Sequence, residues 1–124
     1  MAFEKPSGFS LWRNFINSLN GFIEVSRREN PMKAELIVLA AGVLVLIFWD
    51  IAIWQKAVLL VSLLLIILAE LVNSSIERVV DLVTKDFHEL AKHAKDAASA
   101  GVLVAILIAL IAWAVVAHIY FFGS

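Results

Sequence analysis

Three long uncharged stretches, separated by short polar segments, dominate the pattern of this chain. They contain fourteen, thirteen and twenty-one residues and run over 36–49, 57–69 and 97–117. A helix needs about 20 residues to cross the ~30 Å hydrocarbon core of a bilayer, so the first two stretches must draw in flanking residues. We therefore predict three membrane-spanning helices, contained in 33–50, 52–84 and 91–120.

The segment before these stretches has an amphipathic period. Its large apolar side chains recur at helical spacing on one face, namely Phe9, Trp12, Phe15, Ile16, Leu19, Phe22 and Ile23. This pattern predicts a helix over 9–25 that lies in the membrane interface, although a helix on a soluble core would have the same period. A short lead with Pro6 and Gly8 precedes the helix, and Asn30-Pro31 predicts a junction after it.

Composition indicates an integral membrane protein. Of the 124 residues, 62% are hydrophobic, and the mean hydropathy is +0.92. Soluble domains have only about 45–50% apolar residues. We predict an all-α fold in a single membrane domain, 1–124, and we expect no nucleic-acid partner. The chain has no cysteine, which excludes disulfides and thiolate metal sites.

Positive charge is distributed unevenly along the chain. Five of the ten Lys and Arg residues precede the first uncharged stretch, and four more lie between the second and the third. Cytoplasmic loops carry an excess of Lys and Arg. We therefore predict a cytoplasmic amino terminus and a carboxyl terminus outside the cell.

A polar stripe continues directly out of the second uncharged stretch. Its members fall at i, i+3, i+7 and i+11, and they are Glu70, Asn73, Glu77 and Asp81. At about 100° per residue they share one helix face. Ionisable groups at membrane depth are costly and by default mark a functional site. The alternative is polar contact between the helices of a bundle, which for Asn73 alone would explain the residue equally well.

The acidic residues on the predicted cytoplasmic side form a set of hard oxygen ligands. The set is Glu29, Glu35, Glu70, Glu77, Asp81, Asp86 and Asp96. Such ligands suit Mg²⁺, which proteins hold through one or two carboxylates together with substrate phosphates. Lys95 beside Asp96, with His88 nearby, offers a cation for phosphate. Phosphoryl transfer needs mainly positioning, metal and charge neutralisation.

Other interpretations of these polar residues stay open or are disfavoured. Lys92, Lys95 and Arg78, taken singly, fit a solvated rim that faces lipid headgroups. His88 and His93 are about 140° apart on a helix, which disfavours a zinc site. The five glycines are scattered singly, so no glycine-rich nucleotide loop is present.

Two motifs in the segment 68–103 carry a family resemblance. The run E-x-x-N-S-x-I-E-x-x-V-D begins at Glu70, and the run H-E-L followed by A-K-D and S-A begins at His88. This segment resembles the signature of the small prokaryotic diacylglycerol kinase family. The resemblance implies a homotrimer in the bacterial inner membrane, with active sites shared between subunits.

The resemblance also implies roles for individual residues. Glu70 would be the general base, and Glu29 and Glu77 would hold Mg²⁺ against the nucleotide. The remaining residues of the ATP site would be Asp86, Phe87, His88, Lys95 and Asp96. Asn73 and Asp81 would support the site. Together with Glu70, the lipid substrate would contact Ser99, Met32, Glu35, Ser18 and Lys56.

The leading hypothesis is an ATP- and Mg²⁺-dependent kinase that makes phosphatidic acid from diacylglycerol at the cytoplasmic face. Undecaprenol is the alternative acceptor, because the segment 29–33 lies between the patterns of diacylglycerol kinases and undecaprenol kinases. The HELAKHAKDAASA run favours diacylglycerol. A hypothesis from another class is a non-enzymatic cation channel or transporter whose carboxylates bind ions.

Overall fold

A computed structural model of the chain describes residues 8–123 and contains four helices. They are α1 (Leu11–Arg28), α2 (Asn30–Phe48), α3 (Ile53–Val83) and α4 (Glu89–Phe122). This part of the chain has no β-strand, as the all-α prediction requires. The predicted lead, apart from Gly8, lies outside the described residues.

The junction between α1 and α2 is a single residue. Glu29 has an extended backbone, with φ −100° and ψ 115°, and it ends α1 and precedes α2. Pro31 lies in the first turn of α2, where a missing backbone N–H costs nothing and the fixed φ suits the helix. For this reason α2 begins at Asn30 rather than near Lys33. At the other end of α1, the side chain of Ser10 accepts a hydrogen bond from the backbone N–H of Arg13.

The helices differ in length relative to a bilayer. Three of the described helices, α2, α3 and α4, are long and apolar enough to cross a membrane. With 19 residues, α2 is about 28 Å long, which matches the hydrocarbon thickness. With 31 residues, α3 is about 46 Å long, so it extends well beyond the hydrocarbon. The protein is a multi-pass membrane protein.

The core consists of three clusters along α3. One joins Leu63 and Ile66 of α3 to Ala105 and Ala109 of α4. A second contains Val25, Met32 and Ile67, and a third contains Leu46, Leu59 and Val116. Small residues such as the two alanines let helix backbones approach closely, which is how helices associate in lipid. Every cluster includes a residue of α3, so this helix is the centre of the fold.

The two ends of the bundle formed by α2, α3 and α4 carry different kinds of side chain. At one end, Trp49 stacks on Trp113 with ring centroids 6.2 Å apart and meets Tyr120 edge-on at 5.5 Å. Trp and Tyr favour the boundary between lipid and water. The opposite end contains Glu29 and the α3–α4 loop. The spans are therefore bounded by an aromatic end and a charged end.

We expect Gly42→Val to destabilise the protein, because a Cβ at Gly42 would overlap the Cδ1 of Leu63 across the α2–α3 contact. Overpacking of this kind costs about 1–3 kcal/mol. Thermal unfolding of the protein in detergent measures the effect. Gly101→Val is the matched control, since a Cβ there meets nothing within 4 Å. Equal melting temperatures for the two variants would contradict the close approach of α2 and α3.

Candidate active site

Glu70 is a buried carboxylate on the central helix. Its exposed fraction is 4%, and it is seventeen residues from Ile53, about 26 Å along α3. A bilayer whose hydrocarbon begins near Ile53 would end within a turn after Glu70. The residue therefore lies at the edge of the apolar zone, towards the charged end. An ionisable side chain buried there requires a partner or a function.

Glu35 of α2 is the neighbour of Glu70 across the helix interface. The two carboxyl groups lie side by side. Among the described residues, Glu35 Oε2 is buried and has no hydrogen-bond donor. Two ionised carboxylates in contact repel each other, so a group that brings a proton or a positive charge between them stabilises the pair. An incoming hydroxyl group is such a donor.

Asn73 and Glu77 continue the polar face of α3. The Nδ2 of Asn73 donates a hydrogen bond to Oε1 of Glu77 at 3.4 Å. The side-chain oxygen of Asn73 is buried and receives no donor from any described residue. This oxygen and the Glu77 carboxylate are hard donors of the kind that Mg²⁺ takes. Within 8–123 there is no group of three or more His, Asp or Glu residues that could hold a metal, so a cation here would also need substrate oxygens.

Arg78 connects α3 to α1 and to the α1–α2 junction. Its guanidinium donates to Oε2 of Glu24 and, at 3.2 Å, to Oε1 of Glu29. Oε1 of Glu24 also forms an ion pair with Nε of Arg28, 2.9 Å away. Arg78 is therefore an ion-pair partner of α1 and of Glu29, and its side chain is still 42% exposed. No pattern in the sequence signals this contact, because its members are 49 and 54 positions apart.

The α3–α4 loop forms a hollow of about 250 Å³ at the charged end. Its lining includes the five predicted nucleotide-site residues of this loop and of the start of α4, which are Asp86, Phe87, His88, Lys95 and Asp96. Lys95 Nζ is 2.6 Å from Oδ1 of Asp81, which joins α4 to the polar face of α3.

Two of these side chains also have local structural roles. Nδ1 of His88 accepts from the backbone N–H of Leu90 at 3.1 Å and so caps α4. Lys92 Nζ is 2.5 Å from Oδ2 of Asp96. The hollow therefore already contains ion pairs, and a phosphate could replace the carboxylate as the partner of a lysine.

The structure does not bring every predicted residue to Glu70. Lys56 is fourteen residues away on α3, about 21 Å towards the aromatic end. Met32 has no exposed surface and packs between Val25 and Ile67, so in the single chain it belongs to the core. Ser18 is exposed on α1 and donates to the carbonyl of Asn14. Ser99 is exposed, four residues beyond Lys95 in α4.

These features define a helical membrane protein with an acidic site at one end of its spans, and comparison with known proteins gives the family. The sequence profile described as "Prokaryotic diacylglycerol kinase" matches residues 16–117. The Diacylglycerol kinase of Escherichia coli (strain K12) is 33% identical over 93 residues, covering 75% of this chain and 76% of the relative. That of Helicobacter pylori (strain 26695) is 37% identical over 113 residues, covering 88% and 86%.

A third relative agrees with these two. The Diacylglycerol kinase of Pseudomonas aeruginosa (strain PAO1) is 32% identical over 99 residues, covering 80% of each chain. The chain therefore belongs to the prokaryotic diacylglycerol kinase family. It is an ATP-dependent lipid kinase of a multi-pass membrane type, which confirms the resemblance in the segment 68–103.

Proposed function

We propose that this protein transfers the γ-phosphate of ATP to the hydroxyl group of diacylglycerol and so makes phosphatidic acid. The observation that carries the proposal is the Glu70 carboxyl, 4% exposed and on the same face as Asn73 and Glu77. Its depth is that of a hydroxyl at the glycerol level of a lipid. The names of the relatives support diacylglycerol as the acceptor.

Glu70 acts as the general base in this proposal. The lipid hydroxyl enters between the carboxyls of Glu70 and Glu35 and donates a hydrogen bond. Its oxygen bonds to the γ-phosphorus as the bond from that phosphorus to the β–γ bridging oxygen breaks, and ADP leaves. The hydroxyl proton passes to the Glu70 carboxylate. Asn73 orients this face of α3, and Lys95 leaves Asp81 to neutralise phosphate charge.

Glu29 and Glu77 would hold Mg²⁺ together with the nucleotide phosphates. Their carboxylates, together with the unpaired Asn73 oxygen, fit that ion in donor type. Bound there, Mg²⁺ would neutralise the charge of the phosphates. Glu29, whose side chain is 28% exposed, is accessible from the aqueous side.

A groove between α2, α3 and α4 supports an acyl-chain substrate. Its volume is about 510 Å³, within the range of small-molecule sites. The lining is apolar apart from Glu35, the one charged residue among the described lining residues. One end of the groove thus adjoins the carboxyl pair. An acyl chain in the groove would bring its glycerol hydroxyl to Glu70.

The membrane orientation follows from the need for ATP. The charged end, with Glu29 and the α3–α4 loop, would face the cytoplasm of a bacterial inner membrane, and the aromatic end the outside. In this arrangement α1 would lie in the inner interface. Its apolar side chains Trp12 and Phe15 are exposed in the single chain, as an interfacial helix requires.

An exposed stripe on α3 supports a homotrimer with shared sites. Its members alternate in steps of three and four and are Val58, Val61, Leu65, Leu68, Val72, Ser75 and Val79, all exposed except the half-buried Leu65. Leu68 is 55% exposed and Val72 50% exposed, although both belong to the central helix. Such a repeat is the seam of left-handed helix packing. Copies of α3 would therefore pack on one another and bring neighbouring polar faces together.

Glu70→Gln tests the base. The amide keeps the size of the side chain but cannot take the proton, so we expect phosphoryl transfer to fall at least about 100-fold. Transfer of labelled phosphate from ATP to diacylglycerol in micelles measures this. Asp50→Asn, an exposed carboxylate at the aromatic end, is the control. If Glu70→Gln retained more than one-tenth of the activity while folded normally, the assignment would be wrong.

The acceptor is tested with purified protein, labelled ATP, Mg²⁺ and two lipid alcohols in the same micelles. We expect dioleoylglycerol to be phosphorylated faster than undecaprenol, because of the names of the relatives. Faster labelling of undecaprenol would identify undecaprenol, not diacylglycerol, as the preferred acceptor. Ion flux in liposomes, with no lipid labelled, would favour a channel or transporter instead.

Leu68→Ala tests the seam on α3. We expect the variant to dissociate at a protein concentration in detergent at least about tenfold higher than the parent, because truncating a packed leucine costs roughly 2 kcal/mol or more. Crosslinking across a dilution series in detergent reports the oligomer. Leu107→Ala is the matched control, since Leu107 is 48% exposed on α4. Identical dissociation of both variants would argue against α3 as the subunit interface.

A further inference from the structure

Arg78 is a cation that the proposed reaction does not use. It follows Glu77 in α3, and its guanidinium contacts Glu24 of α1 and the junction residue Glu29. A planar guanidinium presents its donors as a rigid fork, which suits two carboxylates at once. One side chain therefore joins the surface helix, the junction and the central helix at the edge of the site.

The surroundings of this contact are strongly acidic. Glu29 and Glu77 both act electrostatically on Glu70, and Glu35 lies beside it. Two other cations near this end are engaged elsewhere, Lys95 with Asp81 and Lys92 with Asp96. Among the described residues of α3, Arg78 is the one cation that forms ion pairs with glutamates at this end, namely Glu24 and Glu29. It neutralises the carboxylate that we assign to the metal.

We propose that Arg78 pairs with Glu29 as long as no metal ion is bound, that the ion arriving with the nucleotide must displace it, and that this competition sets the metal affinity of the site. The inference rests on the proposed function, since it takes Glu29 as a metal ligand. Arg78 and an arriving cation compete for one carboxylate. Arg78 would keep its contact with Glu24 while the carboxylate of Glu29 binds the ion.

The ion pair between Arg78 and Glu29 is weak enough for a metal ion to replace the guanidinium. Arg78 is 42% exposed and Glu29 28% exposed. An ion pair with that exposure contributes little to stability. A divalent cation can therefore displace the guanidinium at little cost, whereas a deeply buried pair would block it. The charge of Arg78 nevertheless opposes a second cation near Glu29.

The alternative role of Arg78 is to dock α1 on α3. In that case its removal would loosen α1 and weaken metal binding, because Glu29 would lose its position. Competition predicts the opposite sign. The direction of the change in metal affinity thus separates the two roles, and it needs no measurement of turnover.

The experiment titrates Mn²⁺ by electron paramagnetic resonance into the purified full-length chain with a non-hydrolysable ATP analogue. In Arg78→Gln, we expect the dissociation constant for Mn²⁺ to fall about threefold or more, because a positive charge next to the ligand is gone. Arg78→Lys should stay near the parent value, since it keeps the charge. Thermal unfolding is measured on each sample.

Arg28→Gln is the matched control, because it removes the same charge from another partner of Glu24. We expect it to change the Mn²⁺ affinity less than Arg78→Gln does. Unchanged or weaker Mn²⁺ binding in Arg78→Gln, or an equal gain in Arg28→Gln, would overturn the inference.

Glu29→Gln separates this inference from the proposed function. If Mn²⁺ binds Glu29→Gln as well as the parent, Glu29 holds no metal and the competition is refuted. Lipid phosphorylation is assayed in parallel on the parent chain. Phosphorylation together with that result would leave the kinase function standing, and its absence would reject both.

Discussion

The cost of burying an ionisable group in an apolar environment governs this structure. An unpaired carboxylate in a membrane protein costs several kcal/mol and persists only where other interactions hold it. Glu70 is held by α3, which contributes residues to each of the three core clusters. Its neighbour Glu35 is a second carboxyl rather than a cation. The pair is therefore incomplete without a proton, a hydroxyl or a metal ion, as expected of a site built for ligands.

The length of α3 places this carboxylate at the boundary between lipid and water. Because α3 is longer than the hydrocarbon is thick, its apolar part crosses the bilayer and its polar part emerges at the charged end. Glu70, Asn73 and Glu77 lie on the part that spans this transition. In the proposed reaction, lipid would approach from the membrane and nucleotide from water, and the two would meet along one helix face.

Much of this arrangement follows from sequence periodicity. The uncharged stretches predict the spans, and the spacing from Glu70 to Asp81 predicts a shared face, because both are local to a helix. Family motifs at Glu70 and His88 identify the family, which the comparisons show. The predicted boundary at Lys33 differs from the structure because Pro31 fits a first helical turn. The clustering of Glu24, Glu29 and Arg78 depends on how α1 docks, which no local pattern encodes.

The single-residue junction at Glu29 has a mechanical consequence. With no loop to absorb motion, a change in the tilt of α1 reorients the backbone that carries this carboxylate. In the proposed orientation α1 lies in the headgroup layer, and a helix in that layer responds to lipid crowding and curvature. In that orientation a single residue would link the aqueous part of the site to the physical state of the bilayer, and the membrane would then act on the site as an effector.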